Sequence, residues 1–583
     1  MHGAAQTRAT LTGHRQRFTI GPVTSNNESG ARQDARSPLW PVWVVGLLLL
    51  LAAVPTLVRF ASTSASWLDY PYPRAGSEGL ILYETLIVKH GGDIYAPITP
   101  DRFISGPYPP VYYWLAATVL PDSLPDFSSS TSVTSIFQPG RIISLVATLF
   151  ATLAAGALVF VSFPRRDKRS LLCGLVGGSV AGAVFLGMPQ VTVWATRFRG
   201  DMLMIALTAG GLLCIALGSG GGTQEHTGLW KWGWLTGGAV LFSIAFYTKQ
   251  TAIAGPIAAA LYLFVRDWRV AVKWCALMFV AVLLPFALLE IATGNWFYLK
   301  MVTYHSLPIR TLTLERLLQF AFWEDQWPVI VLALAYLLLG IIGIGRSWLA
   351  SRNRAGSKAI VSARPSIIPF FLLAALVTLP TGAVVGADHN HLLMPGLAVA
   401  VGVGALVAFL LGRVADVVRE LPGTGDNGQR WVMYASGGVA MLMLTGYFLF
   451  TSEPSSWYTP DLQKPSAQQQ EQLRKIEENV RQNPGTVFFA DDPGVLALAG
   501  KITPYDDPFT MTALAPQNRW DEASFRDQLR GGKFALLILS CDVTVENGCR
   551  GDTFTPGVLD AIRAGYDVLF RDVLFTYAPK HSP

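Results

Sequence analysis

The sequence predicts a polytopic α-helical membrane protein with a C-terminal extracytoplasmic α/β domain. Three observations carry this. Of 583 residues, 51% are hydrophobic and only 14% charged, whereas soluble chains usually carry about 25% charged residues. Apolar runs recur at a length that spans a bilayer, about 20 residues at ~1.5 Å each. The basic residues gather in alternate connections between those runs.

The N-terminal stretch 1–38 is polar and rich in Ser, Thr, Asn, Gly and Arg. It lacks the apolar core and cleavage site of a signal peptide, so it reads as a disordered cytoplasmic tail before an uncleaved anchor. The membrane part, 39–452, holds apolar runs near 39–58, 142–163, 171–190, 202–218, 232–248, 250–265, 274–292, 327–345, 366–387, 392–412 and 431–451. These make about eleven transmembrane helices, since backbone groups in lipid must bond within their own segment. Arg8 to Arg36, the PRRDKR segment at 164–169, Arg266 to Lys273, Arg346 to Arg364 and Arg413 to Arg430 all fall on one side. Basic residues concentrate in cytoplasmic loops, so the N-terminus is placed inside. PPVYYWLAATVL at 109–120 is apolar but short and is stopped by Pro121. Were it to span, the charge pattern would invert, so it is predicted to be re-entrant or interfacial. The net charge of +6 follows from this topology, and no basic patch interleaved with aromatics points to nucleic acid.

The terminal segment 453–583 alternates amphipathic helical runs with apolar runs such as TVFFAD and FALLILS. That pattern predicts a small α/β domain. It carries 13 basic and 18 acidic residues and no phosphate-binding glycine motif. Cys541 and Cys549 both lie in it, where an oxidising compartment permits a bridge. Cys173, Cys214 and Cys275 fall in spans as small packing residues.

Four polar clusters fall on the predicted outer side. The first outer loop, 59–141, contains SEGLILYETLIVKHGG, an amphipathic helix with Ser77 as N-cap and Glu78 in its first turn. An acid there also complements the helix dipole. Arg197, Arg199 and Asp201 stand at the outer end of a span, where such charges can snorkel into water. Lys249 is the one charge among residues 232–265. A charge at membrane depth costs about 2.5–3.5 kcal/mol or more and is a functional candidate by default. Asp388, His389 and His391 cap two spans, and His with carboxylate permits a divalent metal. Arg102 and Tyr112 in the first outer loop, and His305 in the loop 293–326, are further substrate-binding candidates. Carboxylates with Lys and Arg at one membrane face suit a lipid-borne phosphate and an acceptor. The cations hold the phosphate as it leaves, and one carboxylate takes the acceptor's proton.

These residues resemble the GT-C superfamily of membrane glycosyltransferases. The likeness is to the bacterial family-39 type, related to protein mannosyltransferases and the aminoarabinose transferase of lipid A. It rests on the acid after the first span, the PP-x-YYWL helix, the Arg/Asp motif at a helix end, and the Thr-Lys-Gln motif at 248–250. The resemblance implies a polyprenyl-phosphate sugar donor, a glycan, lipid or protein acceptor, and action outside the cytoplasm at the plasma membrane. It implies Glu78 as catalytic base, although Ser77 stands where many relatives have Asp. It makes Asp201 the second catalytic acid, Lys249 the lysine of the Thr-Lys motif, and Tyr108 the residue where relatives often carry a base. Phosphate binding then falls to Arg102, Arg199 or Lys249. A non-enzymatic binder or transporter of a lipid-linked saccharide is the alternative. Transporters commonly show paired repeats with sites near mid-membrane, and neither is visible in this sequence.

Overall fold

The computed structural model describes residues 39–74, 78–122, 136–163, 167–220, 228–353, 365–419, 427–450, 457–490, 493–545, 548–549, 553–572 and 574–580. The predicted N-terminal tail, the Ser77 cap and the basic positions 164–166 and 354–364 lie outside them. Each of the eleven apolar runs forms a helix. In order, they begin with α1 (Trp40–Leu68), followed by α2 (Glu78–Lys89) and α3 (Val111–Val119) of the outer loop. Then come α4 (Gln138–Ser162), α5 (Lys168–Gly187), the short α6 (Pro189–Trp194), α7 (Asp201–Gly218), α8 (Gly228–Thr248), α9 (Ala254–Arg266) and α10 (Trp268–Ala292). Helices over Glu324–Asn353, Ile368–Leu376, Leu393–Arg419 and Asn427–Phe450 complete the membrane part.

Among the described residues, seven helical stretches are long and apolar enough to cross a bilayer, and three more apolar ones are shorter. Two of the shorter pieces mark breaks in the chain. The hairpin at Lys249 leaves α9 with 13 residues. The helix from Ile368 stops after nine residues and tightens through Leu379–Ala383. At nine residues, α3 rises only about 14 Å at ~1.5 Å per residue, too little to cross, as its sequence predicted.

The helix Leu393–Arg419 is the centre of the bundle. In its most apolar stretch 94% of residues are buried, against 6% in α10. Leu47, Leu51, Phe150, Leu153, Phe279 and Ile291 face outward and are exposed. So large an apolar surface belongs against lipid rather than water. Where α5 meets the central helix, glycines allow the backbones to touch. A Cβ on Gly177 would lie 2.4 Å from the Gly404 carbonyl oxygen. Small residues serve such close membrane packing. Gly177→Val is therefore expected to destabilise by about 1–3 kcal/mol through overpacking, read as a lowered unfolding midpoint in detergent.

The C-terminal part has the expected α/β form. Strands β1 (Val487–Phe489), β2 (Leu536–Leu539), β3 (Tyr566–Arg571) and β4 (Phe575–Pro579) make one sheet in the order β1-β2-β4-β3. β1 and β2 are parallel, and the other pairs antiparallel. The first two strands are buried along their whole length, which is why they read as continuous apolar runs rather than alternating ones. Cys541 and Cys549 are joined in a disulfide. Residues 503–506 run alongside 103–105 of the first outer loop. The Phe103 amide donates to Pro504 O at 2.8 Å, and the Asp506 amide to Phe103 O at 3.1 Å.

Candidate active site

Asp201 opens α7 directly after a tight turn over 196–200. Two elements pin that turn. Ser144 Oγ of α4 donates to Arg197 O at 2.6 Å and to Arg199 O at 3.0 Å. The Phe198 amide donates to Glu78 Oε1 at 2.7 Å. Lys249 stands just after the last turn of α8, where the chain breaks before α9. Its ammonium donates to Asp201 Oδ1, which also accepts from Asn390 Nδ2 at 2.9 Å. Arg199 Nε lies 3.2 Å from Asp201 Oδ2, and its Nη2 donates to the Tyr108 hydroxyl. Two cations thus face one carboxylate, and all three side chains are buried. Burial of that kind is tolerated because the charges are paired and hydrogen-bonded.

A small cavity opens against this cluster. Ile81, Tyr108, Tyr112, Tyr113, Gly200, Asp201, Thr248 and Lys249 line it. Its volume is about 10 Å³, roughly what one water needs. The Lys249 ammonium sits 5.3 Å from the Tyr108 ring centre, and the Arg199 guanidinium 5.1 Å. Three tyrosines on α3 and its approach therefore form an aromatic wall opposite the charges. Gly200 keeps the backbone close to that wall, since a Cβ there would meet Tyr112 Cβ and Thr248 Cγ2 at 3.1 Å. Of the residues singled out in the sequence, Tyr112, Arg199, Asp201 and Lys249 come together here. Tyr108 and Asn390 join them.

Glu78 occupies a different position. It is wholly buried, and its oxygens accept four hydrogen bonds. Arg141 Nε and Nη2 each donate at 2.9 Å, and the Arg74 and Phe198 amides at 2.7 Å. Burial pushes its carboxyl up, but the Arg141 charge and these donors outweigh it and hold it below the ordinary glutamate value. Arg141 also donates to the carbonyls of Trp67, Tyr70 and Tyr72, tying the end of α1 to α4. Glu78 does not line the cavity; it braces the turn that presents Arg199 and Asp201. Arg141 was not singled out in the sequence. Its signal was there, as a lone arginine in the first turn of a span on the side poor in basic residues.

The remaining candidates lie elsewhere. Arg102 is exposed and pairs by backbone with Thr99. His305 Nδ1 sits 2.6 Å from Lys300 O, in a second cluster near the C-terminal domain. His389 pairs with Asp388 and lies 3.2 Å from Asp461. His391 turns instead to the Thr381 hydroxyl at 2.9 Å. Asp388, His389 and His391 therefore do not converge. Among the described residues no group of three His, Cys, Asp or Glu is placed to hold a metal.

No family model and no curated protein matches the chain. Among solved structures, ArnT from Cupriavidus metallidurans bound to undecaprenyl phosphate is similar over 91% of this chain and 98% of its own, with a TM-score of 0.51 at 15% identity. The same protein in the apo state gives 0.49 at 15% identity, over 93% and 98%. The Archaeoglobus fulgidus oligosaccharyltransferase tethered with an acceptor peptide gives 0.48 at 11% identity, over 93% and 74%. With the helix bundle, the outer-loop helices and the terminal sheet in place, this chain has the GT-C fold that its motifs implied.

Proposed function

We propose that this protein is a membrane glycosyltransferase. It moves a sugar from a polyprenyl-phosphate donor to a glycan, lipid or protein hydroxyl at the extracytoplasmic membrane face. The observation that carries this is the buried Lys249–Asp201–Arg199 cluster against an aromatic-walled cavity, at the end of the bundle that bears the C-terminal domain. Two cations and one anion leave one positive charge, which matches the single negative charge of a phosphodiester. The similar ArnT structure binds undecaprenyl phosphate, which supports a donor of this class.

In this reading the donor phosphate takes Lys249 and Arg199 from Asp201, because both cations bind phosphate oxygens well. Asp201, released from its partners, accepts the proton of the acceptor hydroxyl. The acceptor oxygen forms a bond to the anomeric carbon as that carbon's bond to the phosphate oxygen breaks. The bonding pair leaves with the polyprenyl phosphate, and the anomeric centre inverts. Phosphate is already a good leaving group, so no second carboxyl has to protonate it. The tyrosine wall gives the sugar ring an apolar face with hydroxyl edges. Asp388, His389 and His391 do not converge, so none of them is given a role in this scheme. Glu78, implied as base by the resemblance, has both oxygens occupied and serves here as a positioning residue.

The test is to incubate the purified protein with polyprenyl-phosphate sugars and candidate envelope acceptors, and to follow free polyprenyl phosphate by mass spectrometry. Release that depends on acceptor is expected. Donor that binds and stays intact with every acceptor would instead favour the binder reading.

A further inference from the structure

We propose that Glu84 of the first outer loop and Asp506 of the C-terminal domain hold one proton between them, and that this proton keeps the domain docked and Tyr113 seated on the cavity wall. Both acids are buried and hang from neighbouring amides. Glu84 Oε1 accepts from the Gly106 amide at 2.7 Å and from Ser105 Oγ at 3.2 Å. Asp506 Oδ1 accepts from the Ser105 amide at 3.0 Å. Gly106 has φ +52°, and a Cβ there would meet Ile94 O at 2.8 Å, so the loop needs glycine to offer that amide. The Tyr113 hydroxyl donates to Glu84 Oε2 at 2.5 Å, while Tyr113 also lines the cavity. Glu84 thus links the C-terminal domain to the candidate active site.

The charge balance requires the proton. One buried cation, Lys300, faces the two acids, and its ammonium donates to Ile94 O and Ile104 O at 2.7 Å rather than to either carboxylate. Asp93, Asp507 and the partly buried His305 add no compensating charge, and Arg102 is exposed. Tyr83 and Tyr95 pack around the pair as neutral phenols; Tyr83 is held by Thr503 O at 2.8 Å. Asp506 Oδ2 has no hydrogen-bond partner among the described residues. An ionised oxygen left so carries a heavy desolvation penalty; a protonated carboxyl carries far less.

The electrostatics agree. Burial raises Glu84 to about 7, against the pull of Tyr113 and the Gly106 amide. Burial, with Glu84 and Asp507 beside it, also raises Asp506. A carboxyl raised in the folded state binds more protons than in the unfolded chain, so stability falls as pH rises through that interval. Burial lowers Lys300 to about 8, which works in the opposite direction above that value. The informative window is therefore about pH 5 to 8.

The experiment compares thermal unfolding of the full-length protein in detergent across that window, for wild type, Asp506→Asn and Glu84→Gln. The wild-type midpoint should fall as pH rises, and each amide should remove about half or more of that fall, because it keeps the carboxyl's shape and deletes its titration. Wild-type slopes in both variants would overturn the proposal. So would failure of both to fold, since a neutral isostere should preserve a protonated pair. Where only one folds, its slope decides. A second arm, the pH dependence of turnover, rests on the transferase reading: loss of the alkaline fall in activity in Asp506→Asn is expected. The stability arm stands without that reading, so the two can fail separately.

Discussion

Asp201→Asn is expected to lower sugar transfer by about 10²- to 10⁴-fold, the usual contribution of a general base, measured on the folded fraction, because the amide also leaves Lys249 and Arg199 without their buried counter-ion and so lowers stability. The amide keeps the side chain's shape and its place beside Lys249, Arg199 and Asn390. What it removes is the proton acceptor. It also removes the anion that competes with the donor phosphate for the two cations. The loss should therefore appear in kcat, with KM for the polyprenyl-phosphate sugar unchanged or lower. Lys249→Met should show the complementary pattern. It deletes a phosphate partner, so KM rises and kcat falls together. Acceptor-dependent release of polyprenyl phosphate, measured at several donor concentrations, separates the two. Near-wild-type kcat in Asp201→Asn would take the base role away from Asp201.

Glu78 and Arg141 should respond in another currency. Each is wholly buried, and each is the other's counter-ion. Removing one partner of such a pair leaves an uncompensated charge and costs about 3–5 kcal/mol. That is a large part of the roughly 5–15 kcal/mol that holds an ordinary domain together. Glu78→Gln and Arg141→Met are expected to lower the unfolding midpoint and the yield of folded protein. The double variant should be less destabilised than the sum of the two, because neither charge is then stranded. Acid should act in the same sense. Glu78 is held below its ordinary value, so its contribution is present above that value and disappears as pH falls through the lowered one. If Glu78→Gln melts like wild type and yet loses turnover, the base role returns to Glu78.

The distinction between these two acids was not available from the chain alone. Both sit in the first turn of a helix on the predicted outer side, and both matched an acidic position of the family pattern. The resemblance gave Glu78 the leading role because of its place after the first span. What sets it apart in the fold is a pair of partners far away in sequence. Arg141 is 63 residues on, and the Phe198 amide 120. Asp201 likewise meets its partners across long separations, Lys249 at 48 residues and Asn390 at 189. The metal candidates followed the opposite course. Asp388, His389 and His391 are neighbours in sequence, yet the turn they occupy sends the two rings to different partners.

The sequence by itself determined the solvent, the helices and the terminal sheet. Apolar runs in lipid have few backbone solutions other than helix, and the two buried strands could be read from short apolar runs between amphipathic helices. It also marked α3 as too short to cross. The hairpin at Lys249 was legible as a gap between two runs, but the break before Leu379, inside the run 366–387, was not, because it depends on how neighbouring helices pack. Only the tertiary structure decided which charges meet. Pairing of buried ions is set by distances of a few ångströms between segments that composition cannot align, and their energy depends on the low dielectric that folding itself creates. That is why the acid facing the cavity, the acid bracing the turn and the acid holding the C-terminal domain look alike in the chain and differ in the fold.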